Sequence, residues 1–179
     1  MSDGSVKSLN GSANKPHERL AAHLAAGMEA VNVLIRERMA SKHAPRIPEV
    51  TQHLVEAGGK RLRPMLTLAA AELCGYEGPY HVHLAATVEF IHTATLLHDD
   101  VVDESEKRRG RPTANLLWDN KSSVLVGDYL FSRSFQLMVE TGNLRVLDIL
   151  ANASATIAEG EVLQLTAAQD LATTEAIYL

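Results

Sequence analysis

The run Leu96–Thr113, LLHDDVVDESEKRRGRPT, places five acidic residues within Asp99–Glu106 and four basic ones within Lys107–Arg111. On a helix advancing about 100° per residue, Leu96, Asp99 and Asp103 all fall within about 40° of His92. Asp99 and Asp103 are related as i and i+4, so their carboxylates are neighbours on one face. Such a pair repels unless a cation lies between its members. Magnesium prefers hard oxygen ligands and completes its shell with water and substrate phosphates, which makes it the natural occupant. Zinc is disfavoured, because no cysteine is near and His98 projects off the stripe. Asp100 points about 80° away by the same geometry and is expected to play a different part. On spacing alone, a solvated acidic face paired with the following arginines would explain the run equally well. The apolar approach ATVEFIHTATLL argues instead for a buried helix whose acids open into a cavity.

Two basic stretches flank this helix in sequence. GGKRLRP (Gly58–Pro64) puts Lys60, Arg61 and Arg63 at the start of a helix, where unpaired N–H groups and the helix dipole attract anions. KRRGRP follows the acids, and arginine offers a planar donor fork that suits phosphate oxygens. Either stretch alone reads as a charged surface loop. Together with a magnesium-type acidic pair they point to diphosphate chemistry in one pocket. His81 and His83, at i and i+2, share no helical face and are expected to be structural or surface residues.

The elements that must carry these residues are helical. Alanine, leucine, valine and glutamate dominate, and period-2 alternation is scarce, so the fold class is all-α. The first helix is expected over Glu18–Ala40, broken by SKHAPRIP because Pro45 and Pro48 cannot continue it. EVTQHLVEAGG makes a short helix stopped at Gly58-Gly59. Pro64 suits the first turn of a helix that runs to Cys74 and is closed by Gly75. Another helix starts near Pro79 and carries the acidic stripe, and KRRGRPT is a loop. A turn at ANLLWDN, a helix from Ser122 ended by Gly142, and a long helix from Asn143 follow. TTEAIYL opens a last helix, with Thr173 or Thr174 as its cap.

With 179 residues the chain is long enough for one domain with a real core. Residues 1–16 read as a flexible polar tail, and 17–179 as part of a single all-α domain. A net charge of -5 gives no reason to expect nucleic acid. The single cysteine, Cys74, excludes a disulfide framework, fits a reducing compartment and is expected as a small core residue. No apolar run reaches the ~18 residues that span a bilayer, and the N-terminus lacks the apolar stretch of a secretory signal. A cytoplasmic protein without stable membrane insertion is the expectation.

GGKRLRP, VEFIHTATLLHDDVVDESEKRRGRPTAN and GDYLFSRSF, in this order and spacing, resemble the trans-polyprenyl diphosphate synthases, and most closely the long-chain octaprenyl and decaprenyl members. The resemblance implies an isoprenoid-synthase helical bundle around a central cavity, working as a homodimer. It implies head-to-tail addition of isopentenyl diphosphate to an allylic diphosphate such as farnesyl diphosphate. Carried over by motif, Asp99 and Asp103 hold Mg2+ that grips the allylic diphosphate, and Asp100 belongs to the same catalytic motif. Arg108 would contact the allylic diphosphate. Arg109, Lys60, Arg63 and His92 would contact isopentenyl diphosphate. In the family the fifth residue before the first motif aspartate gates product length, and aromatics there give short products. Here that position is Ala94, followed by Thr95, with Ile91 a turn earlier, so a long product is implied. Periodicity alone puts Thr95 near the stripe and Ala94 off it. Gly160-Glu161 and Gln164 also match the long-chain pattern.

The family is about twice this long and carries a second Asp-rich motif and a preceding Lys-Thr pair, neither of which occurs in these 179 residues. The expectation is an N-terminal half whose bundle is truncated, with exposed apolar surface and no turnover on its own. Two alternatives stand beside this reading. A terpene cyclase or other class I synthase shares the Asp-rich motif, but has no second diphosphate to occupy GGKRLRP and RRG. A non-catalytic partner subunit of a prenyl synthase would need no intact metal motif.

Overall fold

A helix that approaches its neighbours closely needs small residues on its buried face, and one segment of this chain has them in helical register. The structure, a computed structural model, describes residues 15–56, 59–168 and 172–178. In chain order the described residues form α1 (Pro16–His23), α2 (Ala25–Met39), α3 (Arg46–Glu56), α4 (Leu62–Leu73) and α5 (His81–Val102). A two-stranded antiparallel hairpin follows, β1 (Lys107–Arg108) and β2 (Arg111–Pro112). Then come α6 (Ala114–Leu117), α7 (Asn120–Glu140), α8 (Leu144–Ala167) and α9 (Glu175–Tyr178). The all-α class holds, since the hairpin is the only sheet among the described residues.

α5 is the central helix. It buries Ala86, Phe90, Ala94 and Leu97 along one line of i, i+4 and i+3 spacings, and packs most extensively against α7, then α4 and α2. α7 answers with Ser123, Val126, Gly127, Leu130, Ser134 and Leu137, all buried at the same period. A Cβ on Gly127 would run into the His98 ring, so the bare backbone there lets α5 and α7 approach. Arg38 on α2 forks onto Glu140 on α7 at 2.6 and 2.8 Å, tying the outer helices across the core. α8 buries no residue fully, and Leu144, Ile149, Val162 and Leu165 on it are exposed.

Several boundaries differ from the expectation. The single helix expected over Glu18–Ala40 is two, broken at Leu24 (φ -90°, ψ 7°), and it begins at Pro16 rather than beyond it. Leu24 is buried, so tertiary packing rather than a breaker residue makes the bend. Pro48 does not end a helix but lies in the first turn of α3, where its missing N–H has no intrahelical partner to lose. Cys74 is exposed at the end of α4, not in the core, because the helix stops there. The tail at residues 1–14 and Gly58 lie outside the described residues.

Leu130 is fully buried at the α5–α7 contact. Leu130→Ala is expected to lower the unfolding free energy by about 3 kcal/mol through lost burial and a residual cavity. The exposed Leu144→Ala should change it by less than about 0.5 kcal/mol, both read by urea denaturation.

Candidate functional site

α5 delivers the acids by ending at the right place. The N–H of Asp103 donates to Asp99 O at 2.8 Å, so the helical turn continues through both residues and keeps their i, i+4 relation in space. The chain then closes the helix with Ser105 N–H on Asp100 O at 2.9 Å and Glu104 N–H on Val101 O at 3.3 Å. That is a Schellman stop with Glu104, at φ 51°, where glycine is usual. It throws the chain into the hairpin, whose apex Arg109-Gly110 has φ 52° and 80°, a type I′ turn. Arg61, the residue before α4, has φ 49°. These three, Arg61, Glu104 and Arg109, are all the non-glycine residues with positive φ among the described residues. Arg61 and Arg109 line one cavity, Glu104 lies between α5 and the hairpin, and left-handed backbone in such residues persists only where its surroundings enforce it.

The two basic loops meet. A Cβ on Gly59 would lie 2.6 Å from the Arg109 Nη1, so the glycine makes room for the guanidinium. Lys60, Arg63, His92 and Arg109, which the resemblance groups together, line one cavity of about 520 Å³. His92 and Arg63 also line a second cavity of about 500 Å³, walled by apolar side chains of α4, α5 and α8 that include Leu66, Ile91, Leu150 and Ile157. Thr95 lines this second cavity, whereas Ala94 is buried in the core at 1% exposure and does not. Thr95 therefore takes the position that periodicity gave it.

Charge is arranged accordingly. The His92 imidazole is held below its ordinary pKa by burial and by the Arg63 guanidinium, with Glu89 working the other way. The Asp99 carboxyl is pushed up by burial, then by the negative charge of Glu161 on α8, with Arg108 opposing. Asp103 and Asp100 push it further in the same direction. Asp100 is not at the opening. Its side chain is buried, Arg108 Nε donates to its Oδ1 at 2.8 Å and Nη2 stands 2.8 Å from the same oxygen as an ion pair, while Oδ2 has no hydrogen-bond partner among the described residues. Asp100 thus anchors the hairpin to α5. His98 bonds Val124 O at 3.2 Å, His81 bonds Gly78 O at 3.1 Å, and His83 faces Glu140 at 3.4 Å, all structural contacts.

Among the described residues no three His, Cys, Asp or Glu side chains cluster closely enough to hold a metal by themselves. The donor set still fits magnesium: Asp99 and Asp103 are hard oxygen ligands, and Asp99, its pKa raised by burial and then by Glu161, is a carboxylate that a cation would stabilise. Water and phosphate oxygens complete such a shell. Sequence reasoning noted Glu161 without a role and passed over Glu89 and the pairing of Arg61. Glu89 stands one turn before His92 on the same helix, which is the signal that would have found it.

An all-α bundle that opens a basic cavity and an apolar cavity beside an aspartate pair at one helix end has the isoprenoid-synthase fold. The chain belongs to the Polyprenyl synthetase family, which residues 44–179 match. It is 51% identical over 152 residues to the octaprenyl diphosphate synthase of Escherichia coli, covering 85% of this chain and 47% of that protein. Against a crystal structure of a decaprenyl diphosphate synthase from Rhodobacter capsulatus the identity is 84% and the TM-score 0.89, over 91% of this chain and 50% of that one. A polyprenyl synthase from Caulobacter crescentus, solved with calcium and isoprenyl diphosphate, is 56% identical with a TM-score of 0.87, over 90% of this chain and 49% of that one. The chain spans about half the length of these relatives.

Two outcomes test the geometry. With no metal present, the Asp99 carboxyl should titrate above the ordinary carboxylate range by carbon-13 NMR. Glu161→Gln should bring it down, since removing a nearby negative charge favours ionisation. Gly59→Ala should displace the flexible Arg109 head rather than unfold the protein, leaving the melting temperature nearly unchanged while weakening inorganic diphosphate binding about tenfold.

Proposed function

We propose that the protein is a prenyltransferase that adds isopentenyl diphosphate to an allylic diphosphate and builds a long-chain trans-polyprenyl diphosphate. One observation carries this reading: His92 and Arg63 line both the basic cavity and the apolar one, so a diphosphate head and a hydrocarbon tail meet at the same wall. Lys60, Arg63, His92 and Arg109 hold the isopentenyl diphosphate. His92, its pKa lowered, is neutral at neutral pH and serves there as a hydrogen-bonding group rather than a charge. Asp99 and Asp103 would hold magnesium, which supplies positive charge to the allylic diphosphate when bound. Arg108, kept at the opening by Asp100, faces the same leaving group and stabilises the charge that grows as the allylic C–O bond breaks. The isopentenyl double bond attacks the allylic cation, and loss of a proton to the released diphosphate restores a double bond. Ile91, Thr95 and the α8 side chains exclude water, which would quench the cation, and leave room for a long tail. For Ala94, a role in product length rests on the resemblance alone.

Among the described residues no helix is long and apolar enough to cross a membrane. A cytoplasmic homodimer is part of the proposal, supported by the family likeness.

The test is to incubate the full-length gene product with labelled isopentenyl diphosphate, farnesyl diphosphate and magnesium, then size the products. Elongation well beyond farnesyl is expected, and chelation of the metal should stop it. Asp99→Ala should cut the rate by about a hundredfold or more with the melting curve retained. Near-normal turnover by that variant would refute the metal role, and no incorporation by the unaltered protein would refute the function.

A further inference from the structure

Glu89 is the only carboxylate among the described residues that line the 520 Å³ basic cavity. A bare carboxylate there would repel any diphosphate. Its Oε1 instead accepts from Arg61 Nη1 at 2.5 Å, with the two side chains only 12% and 20% exposed. Arg61 is the left-handed residue just before α4, at φ 49° and ψ 36°, with no side-chain capping bond of its own. Left-handed backbone at a non-glycine residue relaxes unless a contact holds it. The ion pair is that contact. Glu89 sits on the rigid central helix one turn before His92, and its grip on Arg61 fixes the loop between Lys60 and Arg63, the two flanking cations of the cavity.

We infer that Glu89 and Arg61 are positioning residues for the isopentenyl diphosphate site: Glu89 locks Arg61 in its left-handed turn so that Lys60 and Arg63 face the cavity, and Arg61 cancels the carboxylate charge that would otherwise oppose the substrate. The inference rests on the proposed prenyltransferase reading and adds two residues to it. The pair acts through Lys60 and Arg63 rather than on the reacting atoms. Its effect should therefore fall on the isopentenyl substrate and spare the allylic one, which the Asp99 end of α5 holds.

The two roles are unequal, and that makes them separable. Removing Arg61 loosens the loop and leaves a buried negative charge in an anion site. Removing the Glu89 charge only loosens the loop. The double variant is then expected to bind better than the Arg61 variant alone, an outcome that shared loss of packing does not produce.

The experiment uses the full-length gene product and measures initial rates with each substrate varied in turn. Arg61→Met should raise the isopentenyl diphosphate KM by about thirtyfold, Glu89→Gln by about fivefold, and the double variant by close to the Glu89→Gln value. The allylic KM should stay within about twofold throughout. Arg61→Lys keeps the charge without the fork, should give an intermediate rise, and serves if Arg61→Met does not fold. Equal rises in both KM values, no rise, or a double variant as poor as Arg61→Met overturns the inference. Calorimetric titration with inorganic diphosphate should rank the variants in the same order without turnover. If the unaltered protein fails to elongate, the prenyltransferase reading falls while this ranking still decides the role of the pair.

Discussion

A carboxylate cannot remain charged in a protein interior without a partner, and Asp100 has one. Its pairing with Arg108 joins the end of α5 to the hairpin, and the rest of the site depends on that joint. Because Arg108 is pinned, Arg109 at the hairpin apex has a fixed origin and reaches Gly59 on the opposite loop. The joint also keeps Arg108 near enough to Asp99 to oppose the rise in its pKa. Thr113 and Asn115 secure the far side of the hairpin by donating to Ser105 O at 2.7 and 3.3 Å.

The loops that carry the basic residues also hold backbone strain. Left-handed conformations at Arg61, Glu104 and Arg109 are costly; Arg61 is paired with Glu89, Glu104 closes a Schellman stop, and Arg109 opens a type I′ turn. Concentrating cations within one cavity is costly as well, since they repel, and the His92 pKa is lowered first by burial and then by the Arg63 guanidinium. Like charges held together in one site favour an anion between them. The α5–α7 contact supplies the rigidity this needs, through small residues that bring the helix backbones together.

Much of this was legible from the residues. The helical periods of α4, α5, α7 and α8 were plain because apolar side chains recur at 3.6, and the glycines at 75 and 142 do mark helix ends. The stripe of His92, Leu96, Asp99 and Asp103 followed from 100° per residue, as did the divergence of Asp100. Less legible were the break at Leu24, the helix running through Pro48 and the exposure of Cys74, because neighbouring elements rather than local sequence decide them. The KRRGRPT stretch read as an open loop, since Arg-Gly is not the usual type I′ pair and nothing local announces that Arg108 will be clamped.

What the sequence determined by itself was the chemistry: which side chains carry charge, which helix face they share, and the family to which their spacing belongs. Those properties are local, set by residue type and helical geometry. What only the tertiary structure decided was which charges meet. Lys60 and Arg109 lie far apart in sequence, as do Arg61 and Glu89, and Asp99 and Glu161. Their meeting depends on how α4, α8 and the hairpin dock against α5. Docking follows from the summed burial of many apolar side chains, and no local pattern in the chain encodes that sum.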